Sequence, residues 1–177
     1  MKPIAIFHEH PDWFRPLFAE LERRGIAYER LDAAAHGYDP SERDVPWSLV
    51  FNRASPSAYL RGARQTTFHT LHWLRHLERL GVPVVNGSRA YGVEISKAWQ
   101  LDLLTELGVR FPASRVINDP SQAVAAARGL RWPVLVKANV GGSGAGITSF
   151  RNEAELAAAA AAGQLDLGVD GTALVQE

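Results

Sequence analysis

The first half of the chain alternates between short apolar runs and stretches with helical periodicity. The runs predict four strands, at residues 4–7, 27–31, 47–52 and 83–86. Between the first two, apolar residues recur with the spacing of one helix face, and Gly25 is placed to end that helix. A second helix is predicted from residue 62 to 80, with Gly81 after it. Strands and helices in this order indicate a small doubly wound α/β domain over residues 1–88.

The second half, residues 89–177, has a different pattern. Helices are predicted over 96–107 and 153–162, and a third is expected to begin at Asp119-Pro120. Asn152 with Glu155 three residues later resembles a capping box. Strands are predicted at 114–117, 134–137, 147–150 and 172–176.

Composition excludes several classes of protein. The chain has no cysteine, so disulfide scaffolds, cysteine zinc sites, iron–sulfur clusters and thiol nucleophiles are excluded. Its 19 basic residues balance 19 acidic ones without a charged tail, which argues against nucleic acid or an anionic membrane as partner. No apolar run approaches the roughly 18–20 residues of a membrane span, and the N-terminus does not resemble a signal peptide. A soluble, cytoplasmic protein is expected.

Four glycines lie among the six residues 141–146, between two predicted strands. Without side chains, backbone amides can approach a ligand closely, and this suits phosphate. The spacing is not that of a P-loop, because no lysine follows Gly146, nor that of a dinucleotide fingerprint, because the last three glycines are two residues apart. A kinase places its lysine after such a loop, whereas Lys137 comes before this one. The alternative is a glycine-rich hairpin without a ligand.

Lysine is scarce in this chain. The 19 basic residues include the lysines Lys2, Lys97 and Lys137, and all the others are arginines. A lysine kept against this bias indicates a need for a compact point charge. Strand alternation places Lys137 on the face opposite Val136, where an exposed edge lysine is the other interpretation.

Three segments together carry a resemblance to a known family. They are SKAWQLDLLTELGVRFP, PVLVKANVGGSGAGI and, about thirty residues later, LVQE. In this order they resemble the ATP-grasp superfamily, and within it the RimK-type and glutathione-synthetase-like ligases. The resemblance implies a pre-ATP-grasp domain over residues 1–88, followed by the first, α+β lobe of the ATP-binding domain over 89–177.

The resemblance also implies site residues. Lys97 is similar to the family lysine that reaches the α-phosphate, and Lys137 to the strand lysine that contacts the α- and β-phosphates. Gln176 and Glu177 resemble the start of the hinge that holds adenine through backbone groups. The loop that closes over the β- and γ-phosphates would be Gly141, Gly142, Ser143, Gly144, Ala145 and Gly146.

The implied reaction is ATP-dependent ligation of a carboxylate to an amine, or less often a thiol, through an acyl phosphate, with Mg²⁺ as a cofactor. The substrate would be a small molecule or a peptide. The magnesium ligands and an arginine near the γ-phosphate are expected beyond Glu177. The chain is therefore expected to be an N-terminal fragment that does not turn over ATP alone. The alternative is a non-catalytic nucleotide-binding or subunit-interaction module.

Three further groups of residues have more than one possible role. The loop from His8 to Asp12 follows the first strand and could bind a metal or face a substrate, or simply be solvated. Asn52, Arg53 and Arg61 follow the third strand and could hold an anionic substrate. A third group lies on the helix face opposite its leucines and is expected to be solvated or to make a subunit contact in a homo-oligomer. Its members are His69, His72 and His76.

Overall fold

The computed structural model describes residues 2–10, 12–142 and 144–177. The chain divides into two compact units, Met1–Gly92 and Val93–Glu177. The first contains a parallel sheet and the second an antiparallel sheet, which confirms the mixed α/β class. The assignment of residues 1–88 and 89–177 to two functional domains stays a prediction.

The parallel sheet of the first unit has the strand order β2-β1-β3-β4. Its strands are β1 (Ile4–His8), β2 (Tyr28–Asp32), β3 (Leu49–Asn52) and β4 (Val84–Val85). The helices are α1 (Arg15–Arg23) and α2 (Thr66–Arg79), and a 3₁₀ helix spans Ala58–Arg61. A third helix, α3 (Ser88–Glu94), begins in this unit and ends two residues beyond its last residue, Gly92. Because all strands are parallel, the ends of β1 and β3 carry His8 and Asn52 to the same edge.

The predicted apolar face of α1 is confirmed. Phe14, Phe18 and Leu21 are buried and pack against Ile6 of β1. Gly25 has a φ of +63°, the left-handed conformation that ends a helix at low cost only in glycine.

The histidines of α2 were predicted to be solvated or to make a subunit contact, and this is wrong for His69. The segment between β2 and β3 returns over this face of α2, and His36 Nδ1 lies 3.0 Å from His69 Nε2. The ring of Tyr38 lies 4.9 Å from that of His76. His72 is exposed as predicted. Periodicity on α2 could not reveal this cover, since the covering residues belong to another segment.

We expect the His36–His69 contact to make stability depend on pH. Burial, followed by the charge of His69, lowers the pKa of His36 from 6.5 to about 4. The unfolded chain therefore binds more protons between these values, and the free energy of unfolding should decrease as pH falls from 6.5 towards 4. His36 is half-buried, so water screens part of this effect, and we expect a loss of about 1–2 kcal/mol.

Urea denaturation at pH 7.5 and pH 4.5 measures this loss. His36→Gln removes the titrating group and should reduce the difference between the two pH values, whereas the exposed His72→Gln should leave it as in the wild type. Equal pH dependence in all three proteins would contradict the assignment.

The antiparallel sheet of the second unit has the strand order β5-β8-β6-β7. Its strands are β5 (Ser114–Ile117), β6 (Val134–Ala138), β7 (Ile147–Phe150) and β8 (Ala173–Gln176). The helices are α4 (Lys97–Glu106), α5 (Ala123–Ala127) and α6 (Glu153–Ala161). The core lies between the sheet and the last two helices, with Val136 and Val175 packed together with Leu156.

The helix starts differ in detail from the predictions. At α6, the Asn152 side chain accepts a hydrogen bond from Glu155 N, but the Glu155 carboxylate accepts from Arg151 N rather than completing the capping box. A complete capping box forms instead at Asp119, with Gln122. A 3₁₀ turn, Pro120–Gln122, therefore precedes α5. Within the described ranges, no helix is both long and apolar enough to cross a membrane.

Candidate functional site

Lys137 lies near the end of β6, on its less buried face. The neighbouring Val136 and Ala138 point into the core, so the predicted alternation is confirmed. The Lys137 ammonium donates a hydrogen bond to Gln176 Oε1 on β8. Gln176 Nε2 in turn donates to Ser114 Oγ on β5, at 2.7 Å. A chain of side-chain hydrogen bonds across three strands thus orients the lysine.

Lys97 is the first residue of α4. Its ammonium is half-buried and donates to the carbonyl oxygens of Ala138, at 2.7 Å, and Asn139, at 3.1 Å. Burial lowers the pKa of Lys97, the positive charge of Lys137 lowers it further, and Asp170 acts in the opposite direction. The fold therefore brings together two lysines that are 40 residues apart in sequence.

No salt bridge joins either lysine to a carboxylate within the described ranges. Two neighbouring ammonium groups repel each other, and an anion placed between them would relieve that repulsion. This arrangement suits a phosphate-bearing ligand.

The glycine-rich segment connects β6 to β7, so the predicted strand–loop–strand arrangement is confirmed. Gly144 and Gly146 have φ values of +74° and +68°. A methyl group on Gly146 would lie 2.9 Å from Ala138 Cβ, whereas one on Gly144 would meet nothing within 4 Å. Ser143 lies outside the described residues, so its predicted contact with phosphate stays a prediction. The loop follows directly on the strand that carries Lys137.

Comparison with known proteins bears on this geometry. Residues 96–170 match the family described as carbamoyl-phosphate synthase L chain, ATP binding domain. D-alanine–D-alanine ligase B of Chromobacterium violaceum is 29% identical over 137 residues, which cover 71% of this chain and 41% of that protein. The structure of a RimK domain ATP-grasp protein of Sphaerobacter thermophilus superposes with a TM-score of 0.74 at 18% identity. The aligned region covers 99% of this chain and 63% of that protein's chain. The chain therefore has a fold similar to that of this ATP-grasp protein.

A second solved structure has a similar fold. D-alanyl-alanine synthetase A of Vibrio cholerae superposes with a TM-score of 0.67 at 16% identity. The aligned region covers 99% of this chain and 59% of that protein's chain. The chain thus spans less than half of the ligase it matches in sequence and about 60% of these two structures.

The ATP-grasp hinge was expected at Gln176 and Glu177. The side chain of Gln176 is directed to Lys137, as described above. The amide of Glu177 donates to the carbonyl of Ala113 at 3.1 Å, and its carboxylate pairs with Arg131 at 2.8 Å. An adenine contact through the Glu177 amide would require the bond to Ala113 to break.

The residues predicted to hold a substrate in the first unit have different surroundings. Asn52 is buried, and its side chain donates to Asn86 O at 3.1 Å and accepts from Ala54 N at 3.1 Å. These bonds hold Asn52 at the edge of the sheet, and its role in substrate binding stays a prediction. Arg53 is exposed, with its guanidinium 5.3 Å from the ring centre of Phe14.

Arg61 forms a salt bridge with Glu9, at 2.7 Å. Glu9 Oε1 also accepts from the amide of Ser55, at 3.1 Å. Glu9 Oε2 is buried and has no hydrogen-bond partner among the described residues. The loop after β1 and the loop after β3 therefore meet through Glu9. Sequence spacing named both loops but could not pair them.

Two residues near the lysines were not predicted from the sequence. Asn139 contacts the first turn of α4, and Ser114 supports Gln176. Asn139 stands two residues after Lys137, which was the one available signal. Across residues 2–10, 12–142 and 144–177, no group of three His, Asp or Glu side chains lies close enough together to hold a metal ion.

Proposed function

We propose that the protein is an ATP-dependent ligase that joins a carboxylate to an amine, or less often a thiol, through an acyl phosphate. In the first step a carboxylate oxygen attacks the γ-phosphorus, the bond to the β–γ bridging oxygen breaks, and ADP leaves. In the second, the amine attacks the acyl carbon, and the C–O bond to phosphate breaks. The amine proton is lost to solvent or to a base.

One observation carries this proposal. Lys97 and Lys137 lie together, neither forms a salt bridge in the described part of the chain, and the glycine loop follows the strand of Lys137. Phosphoryl transfer depends mainly on positioning and charge neutralisation, which lysines and a closing loop supply. In this proposal Lys97 and Lys137 bind the phosphates, Gly141–Gly146 covers them, and the end of β8 borders the adenine.

The proposal includes Mg²⁺, which neutralises phosphate charge in this class of chemistry. None of its ligands is assigned to a described residue. We place the enzyme in the cytoplasm and its substrate, a small molecule or peptide with a carboxylate, at the edge of the first unit.

Isotope transfer tests the reaction. The full-length protein that contains these residues is incubated with ATP, Mg²⁺, an amine pool and ¹⁸O-labelled carboxylates. When the amine displaces phosphate from an acyl phosphate, one oxygen of the original carboxylate leaves with the phosphate. We therefore expect ¹⁸O in inorganic phosphate, together with ADP. Hydroxylamine should trap the same intermediate as a hydroxamate. ATP binding without ADP release would favour the non-catalytic module, and ADP release without ¹⁸O transfer would contradict the acyl phosphate.

Arg53→Ala tests the substrate side. Arg53 makes no salt bridge among the described residues and lies after β3, where a substrate carboxylate could reach it. Loss of one charge-assisted contact should raise the KM for the carboxylate about tenfold and leave the Kd for ATP unchanged. Arg64→Ala removes the same charge from another exposed position and should change neither. An equal rise in both variants would mean that only the overall charge matters.

A further inference from the structure

Asn139 connects three parts of the second unit with one side chain. Its Oδ1 accepts from Ser96 Oγ at 3.2 Å and from Ala98 N at 2.9 Å. Its Nδ2 donates to Asp170 Oδ2 at 2.7 Å. Only 7% of the residue is exposed. The first turn of α4, the end of β6 and the loop before β8 therefore meet at this amide.

The two bonds to Oδ1 enclose Lys97. Ser96 and Ala98 are its neighbours in sequence, so the backbone of Lys97 is held from both sides by the same oxygen. Ser96 Oγ also accepts from Trp99 N at 3.2 Å and so caps the helix. Loss of the Asn139 amide would remove both side-chain bonds to this turn. The cap within the helix and the longer backbone bond from Lys97 N to Asn139 O, at 3.4 Å, would remain.

Such an anchor is needed because Lys97 and Lys137 are both positively charged. Without a ligand they repel each other, and the ammonium of Lys97 rests on the carbonyls of Ala138 and Asn139. A turn that is free to move would let the two charges separate, and the ordering would then have to occur on binding. Fixing the turn beforehand avoids that cost.

We propose that Asn139 is a positioning residue of the nucleotide site, which fixes Lys97 relative to Lys137 so that both lysines meet the phosphates of one nucleotide. The inference rests on the proposed function, since it presumes that these lysines bind phosphate. It adds a residue that touches neither the phosphates nor the reacting atoms, and it assigns Asp170 the task of orienting the Asn139 amide.

The test compares three variants with the wild type in the full-length protein. Asn139→Ala removes every side-chain bond. Asn139→Asp keeps the acceptor for Ser96 and Ala98 but sets two carboxylates against each other. The double variant Asn139→Asp, Asp170→Asn exchanges the partners, so that the amide at position 170 donates to the carboxylate at 139 and the net charge equals that of the wild type.

Equilibrium dialysis measures the Kd for ATP and for adenosine, and thermal unfolding reports the fold. We expect Asn139→Ala to raise the Kd for ATP about tenfold while adenosine binding changes less than about twofold, because adenosine has no phosphate to meet Lys97. Asn139→Asp should weaken ATP binding at least as much, and the exchanged pair should return it to within about threefold of the wild type.

A purely structural role would move different quantities. If Asn139→Ala weakens ATP and adenosine equally, or if the exchanged pair restores thermal stability but not ATP affinity, the inference is wrong. Lys97→Ala serves as the reference for the proposed function. If wild-type protein does not bind ATP, or Lys97→Ala binds it normally, the proposed function fails; if Lys97→Ala loses ATP and Asn139→Ala does not, only the role of Asn139 fails.

Discussion

Lys137→Ala should weaken ATP binding about 100-fold. In the proposed site the ammonium of Lys137 meets two phosphates, and charge-assisted hydrogen bonds of this kind contribute about 1.5–3 kcal/mol. A loss of about 2.7 kcal/mol is a factor of 100 in Kd. Removing the Lys137 side chain also leaves Gln176 Oε1 without the donor that the ammonium supplies, and Lys97 is then the remaining lysine of the pair.

Isothermal titration of the full-length protein with ATP and with adenosine measures the effect. Lys137→Arg keeps the charge but replaces a compact ammonium with a planar fork, and we expect about a tenfold loss. Lys2→Ala is the matched control, because Lys2 is a lysine of the first unit whose ammonium donates to the carbonyl of Val45. Wild-type affinity in Lys137→Ala would remove the basis for assigning the loop and the lysines to phosphate.

Much of this fold could be predicted because its signals are local. Residues 4–7 of β1 form a continuous apolar run, and residues 134–138 of β6 are apolar except for Lys137. Gly25 marks the end of α1. The same holds for Lys137, whose position on the strand follows from alternation alone. The helix α3 gave no such signal. Its start is fixed by Glu78 of α2, whose carboxylate accepts from Ser88 N at 2.7 Å and Ser88 Oγ at 2.6 Å.

The site could be predicted from the sequence where the type of a residue by itself indicates its chemistry. A glycine loop and two rare lysines do so, and the resemblance to the ATP-grasp superfamily named the same residues. Contacts that join distant segments leave no pattern in a single sequence. The Asn52 side chain donates to Asn86 O, 34 residues away, and the sequence alone did not predict this bond. The Glu9–Arg61 salt bridge and the covering of His69 were missed for the same reason.

The glycine loop offers a second large effect, and one that separates two glycines of similar conformation. Both Gly144 and Gly146 have positive φ, so alanine at either position costs about 1–2 kcal/mol in backbone strain, partly offset by the reduced entropy of the unfolded chain. Only at Gly146 does the added methyl group meet Ala138 Cβ, at 2.9 Å, and Asp166 Oδ2, at 3.1 Å. The carbonyl of Gly146 also accepts from Ala138 N at 2.8 Å, which holds the two segments close.

Gly146→Ala should therefore lower the free energy of unfolding by about 2–4 kcal/mol, since overpacking adds about 1–3 kcal/mol to the strain. Gly144→Ala should lower it by about 1 kcal/mol or less, because open space surrounds that position. Chemical denaturation of both variants measures the difference in the free energy of unfolding. The double variant Gly146→Ala, Ala138→Gly is the control, because it removes the methyl group that the new side chain would contact. Recovery of about half the loss in that double variant would assign it to the contact. Equal destabilisation by Gly144→Ala and Gly146→Ala would mean instead that backbone strain alone sets the requirement for glycine, and that the loop does not need to approach β6 closely.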